Sequence, residues 1–107
     1  MIRDFNAREF RIVRHGMDDA RELLAMGEPK SALAALREPK KILERKINNT
    51  RILAILLIEE AEILIALRRF PKAKADLDRA LEVLDAIDDR QPEIRQEIAD
   101  LYTRLED

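Results

Sequence analysis

One spacing of alanines and leucines occurs twice in this chain. Residues 20 to 43 carry Ala20, Leu23, Ala25, Ala32, Ala34, Leu36 and Leu43. Residues 61 to 84 carry Ala61, Leu64, Ala66, Ala73, Ala75, Leu77 and Leu84 in the same register, 41 positions on. A shared pattern at such a period is the signature of stacked supersecondary units, each too small to bury its apolar face alone. Small residues at fixed offsets suit two helices in close contact around a turn, so each copy reads as a helical hairpin. Arrays of this kind generally present a surface to another protein rather than perform chemistry.

The rest of the chain agrees with an all-α domain. Glycine occurs only at 16 and 27, and proline only at 29, 39, 71 and 92. Breaks are therefore few, and no strand-like alternation is visible. Five helices are expected. Asn6 and Glu9 form a capping box for the first, with Phe5 and Phe10 as its hydrophobic staple. It runs to about Met26 with a stripe of Phe10, Val13, Met17, Ala20 and Leu24. Gly16 within it marks a kink or a close helix contact. Gly27 suits a left-handed helix end, and Pro29 the first turn of the second helix. The second helix runs to about Lys46 with a kink at Pro39; a break at Glu38 is the alternative. Asn48, Asn49 and Thr50 interrupt it. Whether residues 39–69 make one long helix or two stays open.

The third helix, about Thr50 to Arg69, is apolar on every face. Such a helix is either central to a fold or half of an interface, and enclosing it within so short a chain is difficult. Pro71 opens the fourth helix, which runs to about Ile87. Pro92 opens the fifth, whose narrow stripe of Ile94, Ile98, Leu101 and Leu105 suits a cap on an open stack. The expected organisation is one domain over residues 1–107: a first hairpin over 1–47, a second over 48–87 and a capping helix over 88–107.

Composition excludes several classes of function. The chain has no cysteine, so it has neither disulfides nor thiolate chemistry. Its 107 residues carry a net charge of −2, which gives no strong field toward nucleic acid or acidic lipid. Charge is uneven: residues 1–72 sum to +4 and residues 73–107 to −6. The charged fraction of 39%, with few uncharged polar side chains, suits a thermophilic source as well as it suits an ordinary helical protein. The longest apolar run, Ile52 to Ile58, is far too short for a bilayer. With no apolar leader at the N-terminus, a cytoplasmic location is expected.

Ala61, Leu64, Phe70, Ala73 and Ala80-Leu81 resemble the tetratricopeptide repeat pattern, over residues 54–87. The first copy matches at Ala20, Leu23, Gly27 and Ala32. It departs at Pro39, where the pattern has a second-helix alanine. Neither copy has the usual tryptophan, and Arg68 stands at the turn glycine of the second. The resemblance implies a right-handed superhelix of two stacked antiparallel hairpins plus a capping helix. It also implies a concave face lined by the first helix of each copy: Arg14, Met17, Arg21, Leu24 and Ala25, then Ile55, Ile58, Glu62, Ile65 and Ala66. No clamp of lysine and asparagine for a chain terminus is present. The implied ligand is an amphipathic or apolar helical segment of a partner protein. Packing of the isoleucines in the core, or against a second copy of the chain, competes with that reading.

An enzyme is not expected. His15 is the only histidine, flanked by Arg14 and Gly16, and supports neither a base nor a zinc site. Glu59, Glu60 and Glu62 lack the paired histidine of a carboxylate metal centre. Glu59 and Glu62 can share a face, where burial would raise a carboxyl pKa, but the glutamates read first as the polar stripe of an otherwise buried helix. No glycine-rich phosphate loop exists. Arg37, Lys41 and Arg45 form a basic ridge beside Lys40 and Lys46, with Arg51 beyond, and Arg8, Arg11, Arg14 and His15 offer another. Intervening acids and missing aromatics do not favour nucleic acid. Neither a cofactor nor a small-molecule substrate is expected. Two readings remain: a non-catalytic interaction module, or a homo-oligomeric structural protein whose apolar third helix is buried between identical chains.

Overall fold

The computed structural model describes residues 6–46 and 50–105. Among them the chain is all-helical, with six helices and no strand. α1 (Ala7–Ala25) packs against α2 (Pro29–Ala35) and α3 (Arg37–Lys46). α4 (Arg51–Ala66) packs chiefly against α5 (Phe70–Ala86), and α6 (Pro92–Leu105) lies on both. No helix among the described residues is long and apolar enough to cross a membrane.

Local chemistry sets most of the boundaries. Asn6 accepts from the Glu9 amide at 2.8 Å and Glu9 reaches back to the Asn6 amide, so the capping box is complete. Thr50 caps α4 by accepting from the Leu53 amide. Phe5, Asn48 and Asn49 lie outside the described residues. α1, α4 and α5 all end in the same turn. A residue with positive φ donates to the carbonyl three positions back, and its successor to the one five back, as in a Schellman motif. Gly27, Arg68 and Asp88 hold φ of 79°, 62° and 55°. Their successors Glu28, Arg69 and Asp89 bond to Leu23, Leu64 and Leu84. Gly27 adopts this geometry freely, whereas Arg68 pays the steric cost of a Cβ there. Arg68→Gly is therefore expected to raise stability by about 0.5–1 kcal/mol. Urea unfolding checks this, with a higher midpoint at unchanged slope.

The second expected helix is two helices. The chain breaks at Leu36, earlier than either a kink at Pro39 or a break at Glu38. Pro39 occupies the third position of α3, within the first turn, where its missing amide costs no helical bond. It does leave the Ala35 carbonyl, four residues back, without a proline amide to bond. α1 closes over this place with Gly16. A Cβ there would lie 2.4 Å from Pro39 Cγ and 2.9 Å from the Ala35 oxygen. Gly16 thus serves a close helix contact. Thr50, ahead of α4, is extended at φ −129° and ψ 161°, so residues 39–69 do not form one helix.

The duplicated spacing recurs in burial. Ala20 and Ala61, Ala32 and Ala73, Leu36 and Leu77, and Leu43 and Leu84 are all at most 1% exposed. Ala25, Ala66, Ala34 and Ala75 are exposed in both copies. The positive-φ turns at 27 and 68 fall at the same offset.

α4 is enclosed. Ten of its sixteen residues are buried, and it packs against every other helix. α1, α2, α3 and α5 all touch it, α5 most extensively, and Ile98 and Leu101 of α6 add to the same core. Each fully buried leucine or isoleucine contributes roughly 1.5–3 kcal/mol of transfer free energy, so this one helix anchors the domain. The burial that a second copy was invoked to supply is provided within one chain. Tyr102 of α6 donates its hydroxyl to the Asp78 carboxylate of α5. Arg51, at the start of α4, binds Asp89 at 2.5 Å, and Arg95 donates to the Asp89 carbonyl. These contacts tie the α5–α6 turn to the start of α4.

Candidate functional site

The residues implied as a concave lining divide by burial. Met17, Ile58 and Ile65 are 7%, 2% and 7% exposed and belong to the single core. Leu24 and Ile55 are half-buried at its edge, and Glu62 is half-buried. Arg14 and Arg21 are exposed. What reaches solvent along α1 and α4 is therefore mostly charged, with an apolar margin. A small cavity of about 160 Å³ lies there between Phe10, Val13, Arg14, Met17, Asp18, Arg21 and Ile52.

Charged groups from three helices converge beside it. Arg21 of α1 bonds Asp18 at 2.7 Å and stands 3.4 Å from Glu59 of α4. Arg104 of α6 lies 4.0 Å from Glu62. Glu97 of α6 acts electrostatically on Glu59 and is itself raised by burial and by Glu62 and Asp100. These charges of α1, α4 and α6 form one cluster around Glu59 and Glu62. Glu59 is its most perturbed member. Burial pushes its carboxyl up to about 7, Arg21 opposes the shift, and Glu97, Glu62 and Asp18 add to it. Its Oε1 is buried and has no hydrogen-bond partner among the described residues.

The pairing of Glu59 with Glu62 on one face was readable from their spacing. The contributions of Asp18, Glu97 and Arg104 were not, because the packing of α6 brings them in. One faint signal existed: Asp18 and Arg21 stand at the positions of Glu59 and Glu62 in the repeat.

A second charged cluster lies on another face of α4. Glu60 is buried and accepts from Lys40 Nζ at 2.9 Å. Asp76 of α5 lies beside it, and its Oδ2 is buried with no donor among the described residues. Burial, and then the Glu60 carboxylate, push the Asp76 carboxyl up to about 8. The Asp76–Glu60 pair therefore favours holding a proton between its two carboxyls. Burial alone would lower the Lys40 pKa, but the hydrogen bond and charge of Glu60, helped by Asp76 and Glu44, outweigh it and leave Lys40 raised.

Among the described residues, no three His, Cys, Asp or Glu side chains are grouped as a metal site requires. No protein-family model matches the chain, and neither a curated protein nor a solved structure is significantly similar to it.

Proposed function

We propose that this chain is a non-catalytic protein-interaction module of tetratricopeptide-like build. It holds an amphipathic helical segment of a partner protein in the groove between α1, α4 and α6. The recurrence of burial and turn geometry at the repeat offset supports the build. The observation that carries the function is Glu59 Oε1, a buried carboxyl oxygen with no partner among the described residues. A buried polar atom left unpaired costs about 1–3 kcal/mol, and a ligand group that pairs with it recovers that cost. Half-buried Leu24 and Ile55 give a helical ligand an apolar strip, and Arg14, Arg21 and Glu62 give it a charged margin. A second copy of the chain has no comparable support as the occupant, since α4 is already enclosed.

Selection from a displayed peptide library by the immobilised chain tests this. Recovered peptides are expected to carry apolar residues three and four positions apart. Ile55→Asp or Arg21→Glu is expected to weaken them about tenfold while circular dichroism is unchanged. Recovery of extended sequences only, or of binders indifferent to both substitutions, would overturn the reading.

A further inference from the structure

We propose that the cleft between α3 and α5 is a second docking site, for an acidic peptide segment of a partner protein. Its carboxylates would be held by Arg37, Lys41, Arg69 and Lys72, and its apolar side chains by Leu33 and Leu64. The cleft encloses about 550 Å³, within the usual range of ligand pockets. It shares no residue with the groove of α1, α4 and α6, so it stands or falls separately.

Charge is the first argument. Five cations line the cleft, in a protein whose net charge is −2. Lys40 is committed to Glu60. Arg37, Lys41, Arg69 and Lys72 are exposed and have no ion-pair partner among the described residues. Of the three acids in the lining, Glu44 is held by Arg79 at 2.5 Å, Glu60 is bound to Lys40, and burial beside Glu60 pushes the Asp76 carboxyl up, against its ionised form. Five cations against three acids leave the lining with an excess of basic groups, and a cleft concentrates such a field. The start of α5 adds to it. Arg69 stands at the N-cap without a side-chain cap, and the first turn carries no acid to offset the helix dipole.

The shape of the lining narrows the ligand. The four free cations come from both α3 and the α4–α5 turn region, so several anionic groups in sequence meet them better than one phosphate does. Leu33, Leu64 and Ala75 supply apolar surface between the cations. No aromatic side chain lines the cleft for base stacking, which argues against single-stranded nucleic acid.

The test is a titration of the isotope-labelled chain with a short amidated peptide of Glu and Leu, followed by amide chemical shifts. Its Lys-for-Glu counterpart and inorganic phosphate are run beside it. Saturable shifts are expected at Leu33, Lys41, Lys72 and Ala75 with the acidic peptide only. Lys41→Glu with Lys72→Glu, or Arg37→Glu with Arg69→Glu, is expected to weaken binding about tenfold or more. Arg11→Glu on exposed α1 is expected to leave it unchanged. Binding should also weaken between about pH 7 and pH 9 as Asp76 loses its proton among Glu60, Glu44, Lys40 and Arg79, and Asp76→Asn should abolish that dependence. No saturable shift, an equal response to the lysine peptide, the same shifts with phosphate alone, or shifts that vanish on dilution of the chain itself would each overturn the proposal. The last outcome would assign the cleft to the acidic helices of a second copy.

Discussion

Gly16→Leu should destabilise the fold by about 3 kcal/mol, and adding Pro39→Ala should recover a large part of that loss. The expectation follows from the contact of α1 with the α2–α3 break. Even the Cβ of an alanine at 16 would fall 2.4 Å from Pro39 Cγ and 2.9 Å from the Ala35 oxygen. Neither neighbour yields easily: one is a ring closed onto its backbone and the other is backbone itself. Gly16→Ala would gain about 1 kcal/mol of helix propensity and lose more to overlap, for a net cost of about 1–2 kcal/mol. Leucine adds three further carbons to the same overlap.

The second copy suggests the remedy. The equivalents of Gly16 and Pro39 are Leu57 and Ala80, both fully buried. Bulk is thus exchanged across the pair: small on the first helix and ring on the second in one copy, large and small in the other. Gly16→Leu with Pro39→Ala transplants the second arrangement into the first. A double-mutant cycle by urea denaturation measures the coupling. Additive losses would show that Gly16 and Pro39 are not matched to each other.

This pair also shows how much of the fold the sequence carried. Asn6, Glu9, Gly27, Thr50 and the prolines at 29, 71 and 92 act through their own backbones and nearest neighbours, so those helix ends were legible from them. The duplicated spacing was legible because alanines at a helix contact are selected by distance alone. The position of the break was not, because a proline in the third position of a helix satisfies the same steric rule as one in the first. The enclosure of α4 was harder still. It depends on α2, α3 and α6 all packing against α4, and no local signal states that. The groove suffered from the same gap: Met17, Ile58 and Ile65 have the periodicity of a lining and of a core alike. The basic cleft was half visible. Arg37, Lys40 and Lys41 stood out on one helix, but Arg69, Lys72 and Asp76 join them only through tertiary packing.

The two buried carboxyls should make stability fall with rising pH, against the usual behaviour of salt-bridged acids. Asp76 and Glu59 have ordinary pKa values of 3.8 and 4.5, raised in the fold to about 8 and about 7. Below the ordinary values both states hold both protons, and the contribution of the neutral buried groups is fully present. Between the ordinary and the raised values the unfolded chain releases protons that the folded chain keeps, so the unfolded state is favoured progressively. Above about pH 8 both states are ionised and the loss is complete. Both side chains are partly open to water, which screens the effect to about 1–2 kcal/mol per site. Asp76→Asn keeps a donor for Glu60 without a charge to bury. It should match the parent near pH 4 and exceed it by about 1–2 kcal/mol at pH 9. Glu59→Gln should act likewise over a window ending near pH 7. Thermal unfolding of the parent, both single variants and the double variant at several pH values between those limits decides the matter. Parallel curves for parent and variants would mean that neither carboxyl is held protonated by its burial.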